Sequence, residues 1–247
     1  MKILITNDDG IYSPGILELA EVASEFGEVR IVAPDVEQSS MGHAVTATRP
    51  LSYKRTHVGD FDAYRVNGTP ADCVSLGSFH WDKVDVVLSG INLGPNLGNS
   101  MWHSGTLAGA KQAALLGIKG IAFSTPTQTE EYDFSKMRPY TRQVLDYLIS
   151  EDGPKLVNVN FPFAPKGIMW TRQSVRQYDG LVKPSEDPMG RKHFWFTVVP
   201  LENPDEGTDR YAIENDLVSM TPLSLDLTDE NQLKKLTSLN MFSQKQI

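Results

Sequence analysis

The sequence predicts an α/β fold, a mostly parallel sheet with helices on both faces, followed by a β-rich C-terminal extension or arm. Two observations carry this prediction. Short, branched apolar runs alternate with segments whose apolar residues recur at helical spacing. After about residue 160 that alternation stops, and strand-like runs follow without helical segments between them. Alternation of the first kind implies right-handed crossovers and a sheet buried on both sides.

The predicted strands are KILIT at 2–6, EVRIVAP at 28–34, VDVVLSG at 84–90, GIAFST at 120–125 and KLVNVNF at 155–161. Helices are expected over 15–25, 70–79, 105–116 and 136–149. Thr69 and Pro70 give the second helix an N-cap and a proline at its first position, Asp72 complements its dipole, and Cys73 is a small core residue. Ser104 caps the third helix, whose Ala108, Gly109, Ala110 and Ala113 let it lie close to the sheet. Beyond this core, assigned to 1–165, the extension at 166–247 holds GIMWTRQSV, HFWFTVVP and RYAIENDLVSM. These are read as antiparallel strands or hairpins, separated by a polar stretch at 179–192 that suits an exposed arm.

The chain has 247 residues, enough for one large α/β domain, and its 40% hydrophobic and 22% charged content is that of a folded protein. A net charge of −8 argues against a partner held by phosphate neutralisation, so no long nucleic acid is expected. The single Cys73 excludes an internal disulfide and any multi-cysteine metal site. No apolar run approaches the ~20 residues that span a bilayer, and MKILITN is strand-like rather than a charged leader. The expectation is a cytoplasmic protein with no membrane partner.

Function is read from the loops that end the strands, because ligands of such sheets bind beyond the carboxyl ends. One loop carries Asp8, Asp9 and Gly10, a second Asp35, Ser39, Ser40 and His43, and a third Asn92 and Asn96. Taken alone, DDG also suits a solvated turn or a helix cap, and each asparagine suits a turn. Three such loops on one edge instead make a hard oxygen donor set for Mg²⁺ or Mn²⁺. Ser104, Gly105 and Thr106 open a helix, whose unpaired N–H groups and dipole form a seat for phosphate. Together these pieces suggest a metal-dependent phosphohydrolase; water is favoured as nucleophile with an aspartate as the open alternative, and His43 and His103 are the candidate proton donors. Trp102 is expected to pack in the interior, with stacking on a base as the alternative. A non-catalytic nucleotide-sensing module would use the same loops. A dinucleotide oxidoreductase is disfavoured, since glycines 90, 94 and 98 do not make G-x-G-x-x-G; no P-loop or G-x-S-x-G elbow is present either.

In order along the chain, ITNDDGI with SPGI, APD with QSS, RVNGTPADCV, SGINLGPNLG, HSGTLAGA, NVNFP, TRQSVRQY and GTDRYAIENDLVSMTPLSLDLT together resemble the SurE (survival protein E) family of metal-dependent 5'/3'-nucleotidases. The resemblance covers nearly the whole chain. It implies a Rossmann-like core whose C-terminal arms exchange between subunits of a homodimer or homotetramer. It also implies one divalent metal ion per subunit, Mg²⁺ or Mn²⁺, held by Asp8, Asp9, Ser39 and Asn92, the two aspartates being catalytic. The implied phosphate-binding residues are Asn96, Ser104, Gly105 and Thr106. The implied reaction is hydrolysis of nucleoside 5'- and 3'-monophosphates, and in some members of short polyphosphate. Where many relatives have GDDVIYSGT this chain has GNSMWHSGT, so Asn99 and Ser100 replace acidic residues and His103 a tyrosine. Ser40 stands where a glycine is expected.

Overall fold

A computed structural model describes residues 1–127, 132–150, 153–175, 178–200 and 203–238. Its centre is a nine-stranded sheet. The strands β1 (Lys2–Thr6), β2 (Glu28–Pro34), β4 (Phe61–Val66), β5 (Val86–Asn92), β6 (Lys119–Ser124) and β7 (Leu156–Asn160) run parallel, in the order β4-β2-β1-β5-β6-β7. Beside β4 lies the antiparallel β3 (Tyr53–Val58); beside β7 lie the antiparallel β11 (Leu217–Pro222) and then β8 (Gly167–Trp170), parallel to β11. The hairpin of β9 (Tyr178–Glu186) and β10 (Lys192–Pro200) pairs only with itself among the described residues.

Alternating side chains explain why both faces are covered. Ile3 and Ile5 of β1 join a core with Ile16 and Leu19 of α1 (Pro14–Ala23) and Val144, Leu145 and Leu148 of α4 (Arg138–Leu148). Leu4, on the opposite face, packs with Cys73 and Val74 of α2 (Pro70–His80) and Ala113 of α3 (Gly105–Leu115). Thr69 and Asp72 form a reciprocal capping box at the start of α2, and Ser104 Oγ accepts from Leu107 N at 3.0 Å at the start of α3.

The five predicted strands and four predicted helices are present, with ends moved by at most two residues. Three expectations are corrected. The β3–β4 hairpin was not foreseen, because β3 is a largely exposed edge strand whose charged side chains give no burial signal. RYAIENDLVSM is not one strand: Thr208 caps the short helix α5 (Asp209–Glu214), and only the part from Leu217 is β11. Nor do β8 and β11 form a separate antiparallel unit, since both extend the central sheet. A last helix, α6 (Glu230–Ser238), also lies outside the predicted elements. No described helix is long and apolar enough to cross a membrane.

Candidate active site

The parallel order brings the carboxyl ends of β1 and β5 side by side, in register through Thr6 and Ser89. After β1, Asn7 Nδ2 donates to the Gly10 carbonyl at 2.9 Å, which closes a turn around the two aspartates. Gly10 has φ +97°, a backbone conformation that a side chain would strain. Asp8 is buried, and its carbonyl accepts from Gln38 N at 2.7 Å, so the loop after β2 is fastened to it.

Helix α3 docks directly on this turn. Thr106 Oγ1 donates to Asp8 Oδ1 at 2.6 Å. A Cβ on Gly105 would lie 2.8 Å from Asp8 Oδ2, so a glycine is required for the helix start to come this close. Asp9 Oδ2 accepts from Leu93 N at 3.1 Å, just past the end of β5. Among the described residues no lysine or arginine pairs with either aspartate.

The electrostatic consequence is strong. Burial raises the Asp8 pKa, against the Thr106 hydroxyl and the amides of Thr106 and Gly105, which favour its charged form. Asp9 is pushed up to about 7, first by burial and then by the charge of Asp8; the Leu93 amide opposes this and Glu37 adds to it. A buried and a half-buried carboxylate without a protein cation are stabilised by an external one, and an ion of charge two would return both to the ionised form. The donor set of carboxylate, hydroxyl and amide oxygens therefore fits a hard divalent cation.

The remaining expected residues fall around this pair in different ways. Asn92 Nδ2 donates to the Gly94 carbonyl at 2.6 Å, which leaves its own carbonyl as the available ligand atom. Ser39 Oγ donates to Glu37 Oε1 at 2.6 Å, so its proton is committed and its lone pairs are not. Ser40 sits at φ +60°, which gives the physical reason a glycine is expected there. Asn96 donates through Nδ2 to Thr106 Oγ1 at 3.3 Å and Ser124 Oγ at 2.9 Å, so both amide hydrogens serve the frame. A cleft of about 400 Å³ opens beside Asp9, lined by Gly10, Tyr12, Asp35, Glu37 and Leu93.

The two histidines are separated. His43 Nε2 contacts Gln112 Oε1 at 2.9 Å, about two turns and roughly 10 Å along α3 from its start. It lines a second cavity, of about 330 Å³, with Trp102, Lys111 and Leu115. His103 is exposed next to the cap Ser104, and its carbonyl accepts from Gly42 N at 2.9 Å. The packing expectation for Trp102 is corrected: the short 3-10 helix Gly98–Trp102 buries Met101 and leaves the indole 57% exposed, with Lys111 Nζ 5.8 Å from its centre.

Two groups of residues escaped the sequence reading. Asn160 accepts from Asn96 N at 2.8 Å and donates to the Asn96 carbonyl at 3.0 Å, while Asn158 Nδ2 donates to the same carbonyl at 2.8 Å. The signal was present: two asparagines at i and i+2 in an otherwise apolar strand share one face and need polar partners. Asp209, fully buried, accepts from Gly98 N at 2.8 Å. In sequence it passes for an ordinary first-turn acid.

The survival protein SurE family model matches residues 3–180. Over 245 residues, 97% of this chain and 98% of the relative, the sequence is 45% identical to 5'-nucleotidase SurE 1 of Thermus thermophilus. It is 42% identical to 5'-nucleotidase SurE of Deinococcus radiodurans, with 96% and 91% of the two chains covered. The crystal structure of the SurE protein of Aquifex aeolicus superposes with a TM-score of 0.84 at 39% identity, covering 97% of this chain and 99% of that one.

Proposed function

The chain belongs to the survival protein SurE family, and on that premise we propose that it is a 5'-nucleotidase, a phosphoric monoester hydrolase that depends on a divalent metal. The observation that carries the reading is the uncompensated pair of a buried Asp8, pressed against the first turn of α3, and a half-buried Asp9 beside it. Asp8, Asp9, Ser39 and Asn92 would hold Mg²⁺ or Mn²⁺, one ion per subunit. When bound, that ion supplies positive charge to the phosphoryl oxygens and acidifies water.

The chain's own residues do the rest. Ser104, Gly105 and Thr106 offer the N-terminal amides of α3 to the phosphate of a nucleoside monophosphate. Asn96 orients the Thr106 hydroxyl, which in turn fixes the Asp8 carboxylate. A water oxygen attacks phosphorus, the ester P–O bond breaks, and the departing oxygen takes a proton. Of the two candidate donors, His103 adjoins the seat while His43 is engaged by Gln112, which favours His103. A seat made of helix N-terminal amides would grip the phosphate rather than the ribose, which supports action on 3'- as well as 5'-monophosphates and on the end of a short polyphosphate.

The proposal extends to assembly. Residues 1–165 would form the nucleotidase core, to whose sheet β8 and β11 add, and 166–247, whose β9–β10 hairpin pairs only with itself among the described residues and exposes Phe194 and Trp195, would mediate a homodimer or homotetramer in the cytoplasm.

The test is phosphate release from a panel of 5'- and 3'-nucleoside monophosphates with Mg²⁺ or Mn²⁺, then with EDTA, on wild type and Asp9→Asn. Release that needs metal and is lost in the variant is expected. Nucleotide binding without release under any condition would instead favour a sensing module.

A further inference from the structure

The segment between β5 and α3 carries Asn96 into the site, yet it has little regular structure of its own. Its peptide groups are held by side chains from distant parts of the chain. The N–H and carbonyl of Asn96 are both taken by Asn160. Two residues on, the Gly98 N–H donates to Asp209 Oδ2 at 2.8 Å and the Gly98 carbonyl accepts from Gln173 Nε2 at 2.9 Å.

The two oxygens of Asp209 divide their work. Oδ1 accepts from Ser174 N at 3.1 Å, Ser174 Oγ at 2.6 Å and Arg210 N at 2.8 Å, all within the C-terminal extension. Oδ2 reaches out of the extension, to Gly98. Asp209 is fully buried and pairs with no lysine or arginine among the described residues; the Arg210 side chain is engaged by Glu214. A buried carboxylate is costly even when hydrogen-bonded. An amide or hydroxyl would satisfy the donors of the extension at lower cost, so what the carboxylate adds is the second acceptor aimed at the active-site loop.

We propose that Asp209 is a positioning residue for the phosphate seat. With Gln173 it fixes the Gly98 peptide, keeps Asn96 against Thr106 and Ser124, and so sets the Thr106–Asp8 contact from the C-terminal extension. The proposal rests on the nucleotidase reading.

Three variants test it. Asp209→Asn keeps size but, with its carbonyl on the donors of the extension, turns an N–H toward the N–H of Gly98. The inhibition constant for inorganic phosphate and KM should rise about tenfold, a typical loss for a supporting residue. A purely structural role would lower the active fraction and leave both constants unchanged. Ser174→Ala removes a donor from Oδ1 only and should lower Tm without moving either constant. Gln173→Ala frees the Gly98 carbonyl and should raise both constants, by less than Asp209→Asn, with little change in Tm. Should Asp209→Asn not fold, Gln173→Ala decides alone. Wild-type constants in Gln173→Ala and Asp209→Asn, or an equal rise in Ser174→Ala, would overturn the proposal. An inactive wild type would overturn the nucleotidase reading and the proposal with it.

Discussion

Two clusters of acidic residues lie close together in the sequence and are treated in opposite ways by the fold. Glu18 and Glu21 of α1 and Glu25 just past its end meet Arg138 and Arg142 of α4, and every carboxylate has a guanidinium partner. Glu25 is exposed, and its hydrogen bond to Arg142 lowers its pKa. Asp8 is buried and Asp9 half-buried; neither has such a partner, and both are shifted upward. Compensated charge at or near the surface is ordinary protein chemistry and contributes little to stability. Buried uncompensated charge destabilises the metal-free protein, and its retention marks the place where a ligand completes the structure.

The largest expected contrast between the two clusters is in activity. Asp9→Asn should lower phosphate release at least a hundredfold, more than the roughly 10–100-fold expected for a residue that only supports a ligand. Thr106→Val, which removes the hydroxyl bonded to Asp8 while keeping shape, should fall inside that 10–100-fold range. Arg142→Ala should leave turnover unchanged.

Stability gives a second contrast, with a defined sign. The folded pKa of Asp9 is about 7 against an ordinary value of 3.8, so between those values the folded state binds more protons than the unfolded one. Metal-free protein therefore loses stability through this group as pH rises from about 4 to 7. Relative to wild type, Asp9→Asn should gain Tm without metal at pH 8, and the gain should shrink toward pH 4. Added Mn²⁺ should raise wild-type Tm more at pH 8 than at pH 5. The smallest effect belongs to the surface: Arg142→Ala should leave the midpoint of a denaturant titration nearly unmoved.

Much of the site was legible because its logic is local. DDG at a strand end, Ser104 as a cap and Thr69–Pro70 as a helix start each follow from a few neighbouring residues, and the structure forms the turn and both caps. What escaped depends on residues far apart in sequence. Asn158 and Asn160 matter because β7 places them under Asn96, and Asp209 because it meets Gly98 from 111 positions away. The edge strand β3 escaped for a different reason: backbone pairing holds it, so its side chains are free of the apolar pattern that reveals buried strands. Trp102 misled because a large aromatic is usually buried, whereas this one faces solvent beside Lys111.

The central claim is that Asp8 and Asp9 stand side by side because together they would hold a divalent cation. Calorimetric titration of Mn²⁺ into wild type, Asp9→Asn and Arg142→Ala at pH 8 tests it most directly. The account predicts one site per chain in wild type and Arg142→Ala, and its loss in Asp9→Asn. Equal Mn²⁺ affinity in wild type and Asp9→Asn would contradict it.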